Sequence, residues 1–161
     1  MTGRGYTVRG AAIGDTAVAP MVAELTAEYT RRYGADVAAR EMAGYPASDF
    51  AAPHGGVLLL EEAGRTVAGG AFRRMDAGTA EFKRIWTAAA HRRRGHGRRI
   101  VAALEGEAAA RGYRRAYLTT GPAQPEAVAL YLRLGYALLD SEGTSPDGSR
   151  DYYAFAKPLP G

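Results

Sequence analysis

The densest group of chemically capable residues in the sequence runs from His91 to Arg99, where five arginines surround Gly95 and Gly97. This segment lies between a predicted strand and a predicted amphipathic helix. The first backbone N–H groups of a helix have no intrahelical partner, and the positive end of the helix dipole faces the same place. Because glycine allows a backbone to approach a ligand closely, the pattern predicts a loop that binds a diphosphate.

Two familiar phosphate-binding motifs do not fit this loop. A Walker A loop ends in Gly-Lys-Ser or Gly-Lys-Thr, which the sequence does not contain. A dinucleotide fingerprint needs a third glycine at the position that Ile100 occupies. An arginine run can also indicate a nucleic-acid surface, but here no aromatic residues are interleaved and glycines interrupt the run. We therefore expect no nucleic-acid partner, while a solvated basic turn remains an alternative.

Neither a metal centre nor cysteine chemistry is expected. The absence of cysteine excludes a disulfide, a thiolate metal site and a cysteine nucleophile. The three histidines are His54, His91 and His96. The last two are five residues apart, whereas a helical pair that shares a face and binds a metal is four apart. The histidines are therefore predicted to be surface residues.

The elements that position the loop follow from hydrophobic periodicity and from glycine and proline punctuation. Strands are predicted at Tyr6–Ala12, Val57–Glu62, Arg65–Met75, Ala80–Thr87, Tyr113–Thr120, Tyr136–Asp140 and Asp151–Lys157. Helices are predicted from Ala17 to Tyr33 with a cap at Asp15, from Asp36 as cap to Met42, from Gly97 to Arg111, and from Pro125 to Leu134. The segment between the last two strands, Ser141–Arg150, is predicted to be a polar loop.

This order of elements predicts a mixed α/β fold. Three consecutive strands between Val57 and Thr87 form an antiparallel meander. The strand, helix and strand from Ala80 to Thr120 imply a central parallel pair inside a mostly antiparallel sheet with flanking helices. With 161 residues and no linker composition, the chain is expected to be a single domain over residues 1–161.

The chain is basic, with a formal net charge of +4 and a calculated pI of about 9.5. Such a balance suits nucleic acid, an anionic membrane or a phosphate-bearing ligand, and the location of the arginines favours the last. No apolar run approaches the ~18–20 residues that span a membrane. Met1–Gly10 carries two arginines but no apolar stretch after them, unlike a secretory signal. We therefore expect a cytoplasmic protein without a membrane partner.

Two segments of the chain resemble the GNAT superfamily of N-acetyltransferases. The strand Ala80–Thr87 followed by Arg92-x-x-Gly95-x-Gly97 is similar to the family's strand and its Gln/Arg-x-x-Gly-x-Gly/Ala helix start. The segment from Ala127 to Tyr136 is similar to the family's later A-x-x-L/F-Y-x-x-x-G-F/Y pattern. The resemblance is close from Ala80 to Tyr136. It implies a GNAT-like acyl-CoA N-acyltransferase fold with acetyl-CoA as cosubstrate and no metal.

The resemblance also implies the cofactor-binding residues. The pyrophosphate of acetyl-CoA would lie against Arg92, Arg93, Arg94, Gly95, His96, Gly97 and Arg98. Backbone groups of Ile85, Trp86 and Thr87 would bind the pantetheine arm, and one of their N–H groups would stabilise the thioester oxyanion. Gln124 stands where many members have an asparagine. The connection Thr87-Ala88-Ala89-Ala90 departs from the acid–proline pair that many members have there.

Two residues are the candidates for proton transfer. The resemblance makes Tyr131 the acid that protonates the departing thiolate. Some members use a glutamate on the fifth strand as base, but the matching residue is Thr119, which cannot serve. Glu81 is then the best candidate base, directly or through water, unless it only pairs with Lys83 or Arg73. Glu24 and Glu28, on the polar stripe of the first long helix, are more readily explained as a solvated face than as an acceptor pocket.

The predicted function is transfer of the acetyl group of acetyl-CoA to a primary amine by direct attack, because no residue offers a persuasive nucleophile. A small-molecule amine is favoured over a protein amine. The main alternative is a non-catalytic domain that binds or senses acyl-CoA, which the threonine at position 119 slightly favours. Whether the chain forms a homodimer stays open.

Overall fold

The computed structural model describes residues 5–160 and shows a seven-stranded sheet between two layers of helices. Residues 1–4 and 161 lie outside the described range. The predicted character of the Met1–Gly10 segment therefore falls partly outside it. The strands are β1 (Tyr6–Ala11), β2 (Gly56–Glu62), β3 (Arg65–Asp76), β4 (Thr79–Thr87), β5 (Arg115–Thr120), β6 (Ala137–Leu138) and β7 (Tyr153–Pro158). The helices are α1 (Ala19–Tyr33), α2 (Ala35–Ala43), α3 (His96–Ala110) and α4 (Pro125–Arg133).

The strand order is β1-β2-β3-β4-β5-β7-β6, and every adjacent pair is antiparallel except β4 and β5. Helix α3 forms the crossover between these two parallel strands, as parallel neighbours require. The predicted mixed α/β fold with one central parallel pair is therefore confirmed.

Each face of the sheet has its own apolar core. On one face, Ile100, Val101, Leu104 and Ala108 of α3 and Tyr131 of α4 pack against buried strand residues. On the other face, Met21 and Leu25 of α1 pack with Phe50, Leu59 and Trp86. The 3.6-residue stripes of α1 and α3 therefore face opposite sides of the sheet. No helix of the described residues is both long enough and apolar enough to span a bilayer.

Glycine with a positive φ ends helices α3 and α4. Gly112 follows α3 with a φ of 94°, and Gly135 follows α4 with a φ of 92°. After α4 the N–H of Tyr136 donates to the carbonyl of Tyr131 at 3.0 Å, and the N–H of Gly135 donates to Leu132 at 3.2 Å. This Schellman pattern satisfies the last carbonyls of the helix and fixes the backbone at Tyr131.

Several predicted element boundaries are wrong at the helix starts and near the carboxyl end. Asp15 does not cap α1: its carboxylate accepts the N–H of Ala12 at 3.1 Å, and a short 3-10 turn, Thr16–Val18, precedes the helix. Asp36 lies in the first turn of α2, whose N-cap is Gly34. The strand predicted at Tyr136–Asp140 is reduced to two residues, because Tyr136 belongs to the end of α4.

Candidate active site

A gap opens in the middle of the sheet where β4 and β5 separate. Their pairing covers only Thr79 to Glu81 against Arg115 to Tyr117. Two residues of β4, Arg84 and Ile85, lie opposite the single residue Gly70 of β3, which makes a β-bulge with a φ of 57° at Arg84. A bulge bends its strand. From Phe82 to Thr87 the edge of β4 that faces β5 therefore has no strand partner.

Two connected cavities occupy this gap. The outer cavity, of about 680 Å³, extends from Ile85, Trp86 and Thr87 to the start of α3 and the exposed side of α4. The inner cavity, of about 90 Å³, lies deeper, between Lys83 and Arg84 of β4, Thr119 of β5 and Glu41 of α2. Four residues line both cavities: Ile85, Gln124, Ala127 and Tyr131. The two cavities therefore adjoin and form one cleft, with Tyr131 in the wall that they share.

The outer cavity ends at a cluster of backbone donors that face no acceptor. Gly95, with a φ of 79°, is the N-cap of α3, and Arg93 before it also has a positive φ of 67°. The backbone amides of His96, Gly97 and Arg98 donate no hydrogen bond within residues 5–160. No acidic side chain occupies the first turn. A helix N-terminus of this kind binds an anion through its N–H groups and dipole.

Three of the four arginines that were predicted around the pyrophosphate line this cavity, and the fourth does not. Arg92, Arg93 and Arg98 contribute to the wall. Arg94 instead turns to the other side of the loop, where its Nη1 lies 3.4 Å from His91 Nδ1 and 3.9 Å from the Glu62 carboxylate. The Arg94 guanidinium therefore lies toward β2, and a contact of this residue with the pyrophosphate stays a prediction.

His96 is a core residue and not a surface residue as predicted. Its side chain is 1% exposed, and the ring packs edge-on against Tyr6 at 5.3 Å between centroids. Its Nε2 has no hydrogen-bond partner in the described chain, and burial lowers its pKa below 6.5. The neutral form is thus favoured, since a buried charge would lack a partner. Its contribution to the loop is its backbone amide. His54 is exposed, as expected.

The fold also brings Glu62, His91 and His96 together, with ligand atoms within 4.8 Å of one another. The spacing of the two histidines could not predict this cluster, because Glu62 lies at the end of β2, far from both histidines in the sequence. Arginine Nη1 atoms lie 3.4 Å from Nδ1 of both rings. When Nδ1 accepts such a bond, the ring proton resides on Nε2, which then cannot bind a cation. The absence of a metal remains a prediction.

Ile85, Trp86 and Thr87 line the outer cavity along the open edge of β4. The Trp86 side chain is buried on the α1 face, and its Nε1 donates to Glu24 Oε1 at 3.1 Å. Glu24 also accepts the N–H of Ala89 at 3.1 Å. Glu24 is exposed, as the periodicity of α1 suggested, and its carboxylate also fixes the end of β4. The backbone N–H and C=O groups of these three residues, on the unpaired edge of β4, are therefore the groups that can bind a ligand in the cleft.

Gln124 is the N-cap of α4 and closes the turn after β5. Its Oε1 accepts from the Tyr33 hydroxyl at 3.2 Å, the Thr120 hydroxyl at 3.3 Å and the Gly121 N–H at 3.4 Å. These three bonds use the carbonyl end of the amide. The residue therefore contributes a fixed wall to both cavities.

Tyr131 lies at the junction of the two cavities and is held rigidly. Its ring packs against Tyr136 at 5.9 Å and Phe155 at 5.7 Å between centroids. The hydroxyl makes no hydrogen bond within residues 5–160, and burial raises the pKa of the phenol well above 10. A phenol with a raised pKa stays protonated at neutral pH, so it can donate a proton in the cleft.

Glu81 does not line either cavity. It is 8% exposed, and its two oxygens lie 2.8 Å from Arg73 Nη1 and 3.7 Å from Lys83 Nζ. Glu41 of α2 pairs with the same lysine at 3.2 Å and does line the inner cavity. Of these two carboxylates, only Glu41 is in position to contact a molecule in the cleft directly.

Four residues that line the cleft were not among the predicted catalytic or cofactor-binding residues. Glu28 lines the outer cavity and pairs with Arg32 at 3.3 Å and Arg92 at 3.8 Å, so it lies on the site and not on a solvated face. Tyr29 lines the inner cavity, where burial raises its pKa to about 12. The others are Glu41 and Arg84. Only the helical stripe of α1 gave a signal for the first two, since Glu28 and Tyr29 follow Leu25 by three and four residues.

The chain matches the model of the acetyltransferase (GNAT) family over residues 18–136. Among solved structures, it is similar to a protein from Klebsiella pneumoniae provisionally described as an acyl-CoA N-acyltransferase, with 27% identity, 96% and 97% of the two chains covered and a TM-score of 0.72. A GNAT family acetyltransferase from Elizabethkingia anophelis with acetyl-CoA bound has 16% identity, 96% and 98% coverage and a TM-score of 0.67. The ribosomal-protein-S18-alanine N-acetyltransferase of Escherichia coli has 18% identity, 96% and 94% coverage and a TM-score of 0.65. A search of curated protein sequences finds no match.

Fold, cleft and family model together define an acyltransferase. The chain belongs to the GNAT family of acetyltransferases, which confirms the resemblance, and its activity is acetyl-CoA-dependent acyl transfer.

Proposed function

We propose that the chain transfers the acetyl group of acetyl-CoA to a small primary amine by direct attack. The observation that carries this proposal is the continuous cleft between β4 and β5. It has unpaired backbone donors at its outer end and a protonated tyrosine at the junction with a small inner cavity. Such a cleft suits a long anionic cofactor that enters from one side and an acceptor that enters from the other.

The residues of the outer cavity fit acetyl-CoA. The free amides of His96, Gly97 and Arg98 suit its pyrophosphate, and Arg92, Arg93 and Arg98 supply positive charge around it. The unpaired edge of β4 offers backbone groups of Ile85, Trp86 and Thr87 to a pantetheine arm, as an added strand would use them. When bound, acetyl-CoA supplies the activated acetyl thioester.

Tyr131 is the proposed general acid. Its hydroxyl has no competing partner in the described chain and lies where the outer cavity meets the inner one. A phenol there can donate its proton to the departing sulfur, which makes coenzyme A a neutral thiol leaving group.

The proposed base is a carboxylate that accepts the proton of the attacking amine, since an ammonium group does not attack. Glu81 would need a water to reach the cleft, because Arg73 and Lys83 cover its oxygens. Glu41 reaches the inner cavity directly. Comparing Glu81→Gln with Glu41→Gln in turnover assigns the role to the variant that loses rate with unchanged acetyl-CoA affinity.

The size of the inner cavity supports a small-molecule acceptor. A volume of about 90 Å³ corresponds to about three water molecules at ~30 Å³ each. That space admits an amine and a few neighbouring atoms. The Escherichia coli relative is named for a protein N-terminus as acceptor, so a peptide remains the second candidate. We also propose that the enzyme acts in the cytoplasm without a membrane, metal or nucleic-acid partner.

The experiment that tests the proposal is an amine screen with acetyl-CoA that detects the released thiol and confirms the acetylated product by mass spectrometry. The panel contains small amines, amino acids and peptides with free N-termini. We expect turnover with a small amine. If acetyl-CoA binds but no amine in the panel is acetylated, the non-catalytic binding or sensing domain becomes the better description.

A further inference from the structure

Arg84 differs from the other cations on this face of the sheet because no carboxylate lies within 4 Å of it in the described chain. Arg73 pairs with Asp49 at 3.1 Å and with Glu81 at 2.8 Å. Lys83 pairs with Glu81 at 3.7 Å and with Glu41 at 3.2 Å. The five groups therefore form a chain of alternating charge, and Arg84 stands beside its end without joining it.

The Arg84 guanidinium is buried with unused hydrogen-bonding capacity. The residue is 8% exposed, its Nη2 donates to the carbonyl of Met42 at 2.7 Å, and its Cζ lies 4.9 Å from the centre of the Phe50 ring. Its Nε is buried and has no partner within residues 5–160. Burial also lowers the pKa of this arginine, and the nearby charge of Glu41 offsets this effect only in part. A buried donor without an acceptor is rare in a native structure.

The backbone at Arg84 is also unusual. Its φ of 57° lies in the left-handed region, which glycine and asparagine adopt far more readily than arginine. This conformation belongs to the bulge that opens the cleft. An arginine at such a position is best explained by a function of its side chain, because the backbone alone would favour glycine.

We propose that Arg84 binds a carboxylate of the acceptor, so that the enzyme acetylates an amine that also carries an acid group, as an amino acid does. Arg84 lines the inner cavity together with Glu41 and Tyr29. A carboxylate accepts two parallel N–H bonds from the fork of a guanidinium. Nη1 of Arg84 makes no hydrogen bond within residues 5–160 and is the available donor, because Nε is closed to solvent and Nη2 already donates to Met42. The inference rests on the proposed function and names its substrate class.

Glu41 explains how one small cavity can hold both ends of this acceptor. Its carboxylate also lines this cavity, beside Lys83 of β4, and can accept a hydrogen bond from the amino group, while Arg84 binds the acid. A cavity of about 90 Å³ suits an acceptor whose amine and carboxylate are separated by few atoms. A short amino acid fits this description, and the N-terminus of a protein, which has no adjacent carboxylate, does not.

The first test uses the unmodified enzyme. A panel of L-amino acids is assayed for thiol release, each beside its own carboxamide, which keeps the amine and the side chain but removes the negative charge. We expect kcat/KM for the best acid to exceed that of its amide by about 10- to 100-fold, the range of a charge-assisted hydrogen bond. The amine of the amide is less basic, so a larger fraction of it is unprotonated at neutral pH. Without recognition of the carboxylate, the amide would therefore react faster than the acid.

The second test is Arg84→Gln, with Arg40→Gln as the matched control. Arg40 lies exposed on α2, close in sequence to Met42, and lines neither cavity of the cleft. In Arg84→Gln we expect KM for the acid to rise by about 10- to 100-fold, with little change for the amide or for acetyl-CoA. Arg84→Lys, which keeps the charge but not the fork, should be intermediate. Arg40→Gln should behave like the parent enzyme.

The outcomes separate this inference from the proposed function. If amides and other neutral amines are acetylated as well as acids, or if Arg84→Gln slows both equally, Arg84 only supports α2 and the inference is wrong while the acetyltransferase assignment stands. If no amine of any kind is acetylated, the proposed function fails first. Calorimetric titration of the coenzyme A-bound protein with the same acids and amides gives a readout that does not depend on turnover. Equal binding of both also overturns the inference.

Discussion

At the scale of single residues, the Tyr131 hydroxyl is the group whose chemistry depends most on its surroundings. Its ring is held between Tyr136 and Phe155, and its carbonyl is fixed by the end of α4. Burial raises the pKa of the phenol, so the proton is bound at every pH below that raised value. The hydroxyl can therefore act as an acid throughout the neutral range, and no loss of rate at low pH should come from this group.

Replacing Tyr131 with Phe keeps the ring and removes only the proton donor. We expect kcat to fall by about 10²–10⁴-fold, the usual contribution of a general acid, while the dissociation constant of acetyl-CoA stays near that of the parent. Steady-state kinetics and calorimetry on one preparation measure both quantities.

The control for this variant is Tyr113→Phe. That substitution removes a buried hydrogen bond of 2.6 Å to the His54 carbonyl, at a residue that lines neither cavity of the cleft. It should cost about 0.5–1.5 kcal/mol of stability without slowing turnover. A near-normal kcat in Tyr131→Phe would leave that tyrosine a packing role only, and an equal loss of rate and affinity would make it a cofactor-binding residue.

Sequence reasoning located the loop but could not orient all its side chains. The Arg–Gly pattern predicts an anion site there, because free N–H groups at a helix start depend on backbone alone. Arg94 faces away because Glu62, more than thirty residues earlier, attracts its guanidinium. Arg84 carries no signal at all, since an arginine in a strand is ordinary and only the bulge makes it buried and unpaired.

At the scale of elements, the start of α3 combines a tight turn with close contact to α4. A Cβ on Gly97 would lie 3.3 Å from Leu130 Cδ2, so this glycine also allows the two helices to approach each other. Sequence reasoning had assigned it only the approach of the ligand. The flexible end of Leu130 can move by the few tenths of an ångström that a small side chain needs.

Gly97→Asp is expected to weaken acetyl-CoA binding by at least about 100-fold while the protein stays folded. The new carboxylate would stand among the unpaired amides of the first turn, where it repels a pyrophosphate. The same negative charge interacts favourably with the helix dipole by about 0.3–1 kcal/mol, which offsets the crowding at Leu130. Circular dichroism melting reports the fold, and calorimetric titration reports the affinity.

Gly106→Asp is the matched control for this element. It makes the same chemical change in the same helix, at a position where a Cβ would meet no other residue within 4 Å. This variant should bind acetyl-CoA like the parent enzyme. Its free energy of unfolding should change by no more than a few tenths of a kcal/mol. Normal titration of acetyl-CoA into Gly97→Asp would show that the start of α3 is not the pyrophosphate site.

The elements themselves were largely predictable because glycine and proline mark their ends. Pro125 begins α4, while Gly34, Gly112 and Gly135 lie just beyond α1, α3 and α4 with φ values between 91° and 94°. Those positions follow from local backbone preference. The shortness of β6 was not predictable in this way. The residues after Gly135 were assigned to a strand, whereas Tyr136 completes the end of α4 and only two residues pair with β7.

At the scale of the whole molecule, the cleft coincides with the shortest strand pairing in the sheet apart from that of the two-residue strand β6. Three residue pairs join β4 to β5, whereas β5 and β7 are joined by six. The first four strands with α3 lie on one side of this pairing, and β5, β7 and α4 lie on the other. A ligand that contacts both the edge of β4 and the residues of α4 therefore joins the two parts where the backbone does not.

Coenzyme A should consequently stabilise the entire domain. At ~100 times its dissociation constant, a ligand that binds only the folded state adds about 2.7 kcal/mol. For a domain of this size that corresponds to a rise in Tm of roughly 5–11 °C. Thermal melting with coenzyme A, acetyl-CoA, ADP and NAD at equal concentrations measures it, and ADP and NAD should shift the Tm much less because neither supplies a pantetheine arm.

Hydrogen exchange locates the same effect within the molecule. Amides on the open edge of β4 between Phe82 and Thr87, and those of His96 to Arg98, have free positions toward the cleft, so bound coenzyme A should slow their exchange most. Exchange at β1, on the far edge of the sheet, should slow only as much as the global stability rises. No Tm shift at millimolar coenzyme A, with ADP and NAD equally without effect, would contradict the diphosphate site. A uniform shift without extra protection at β4 and α3 would instead place the ligand elsewhere on the fold.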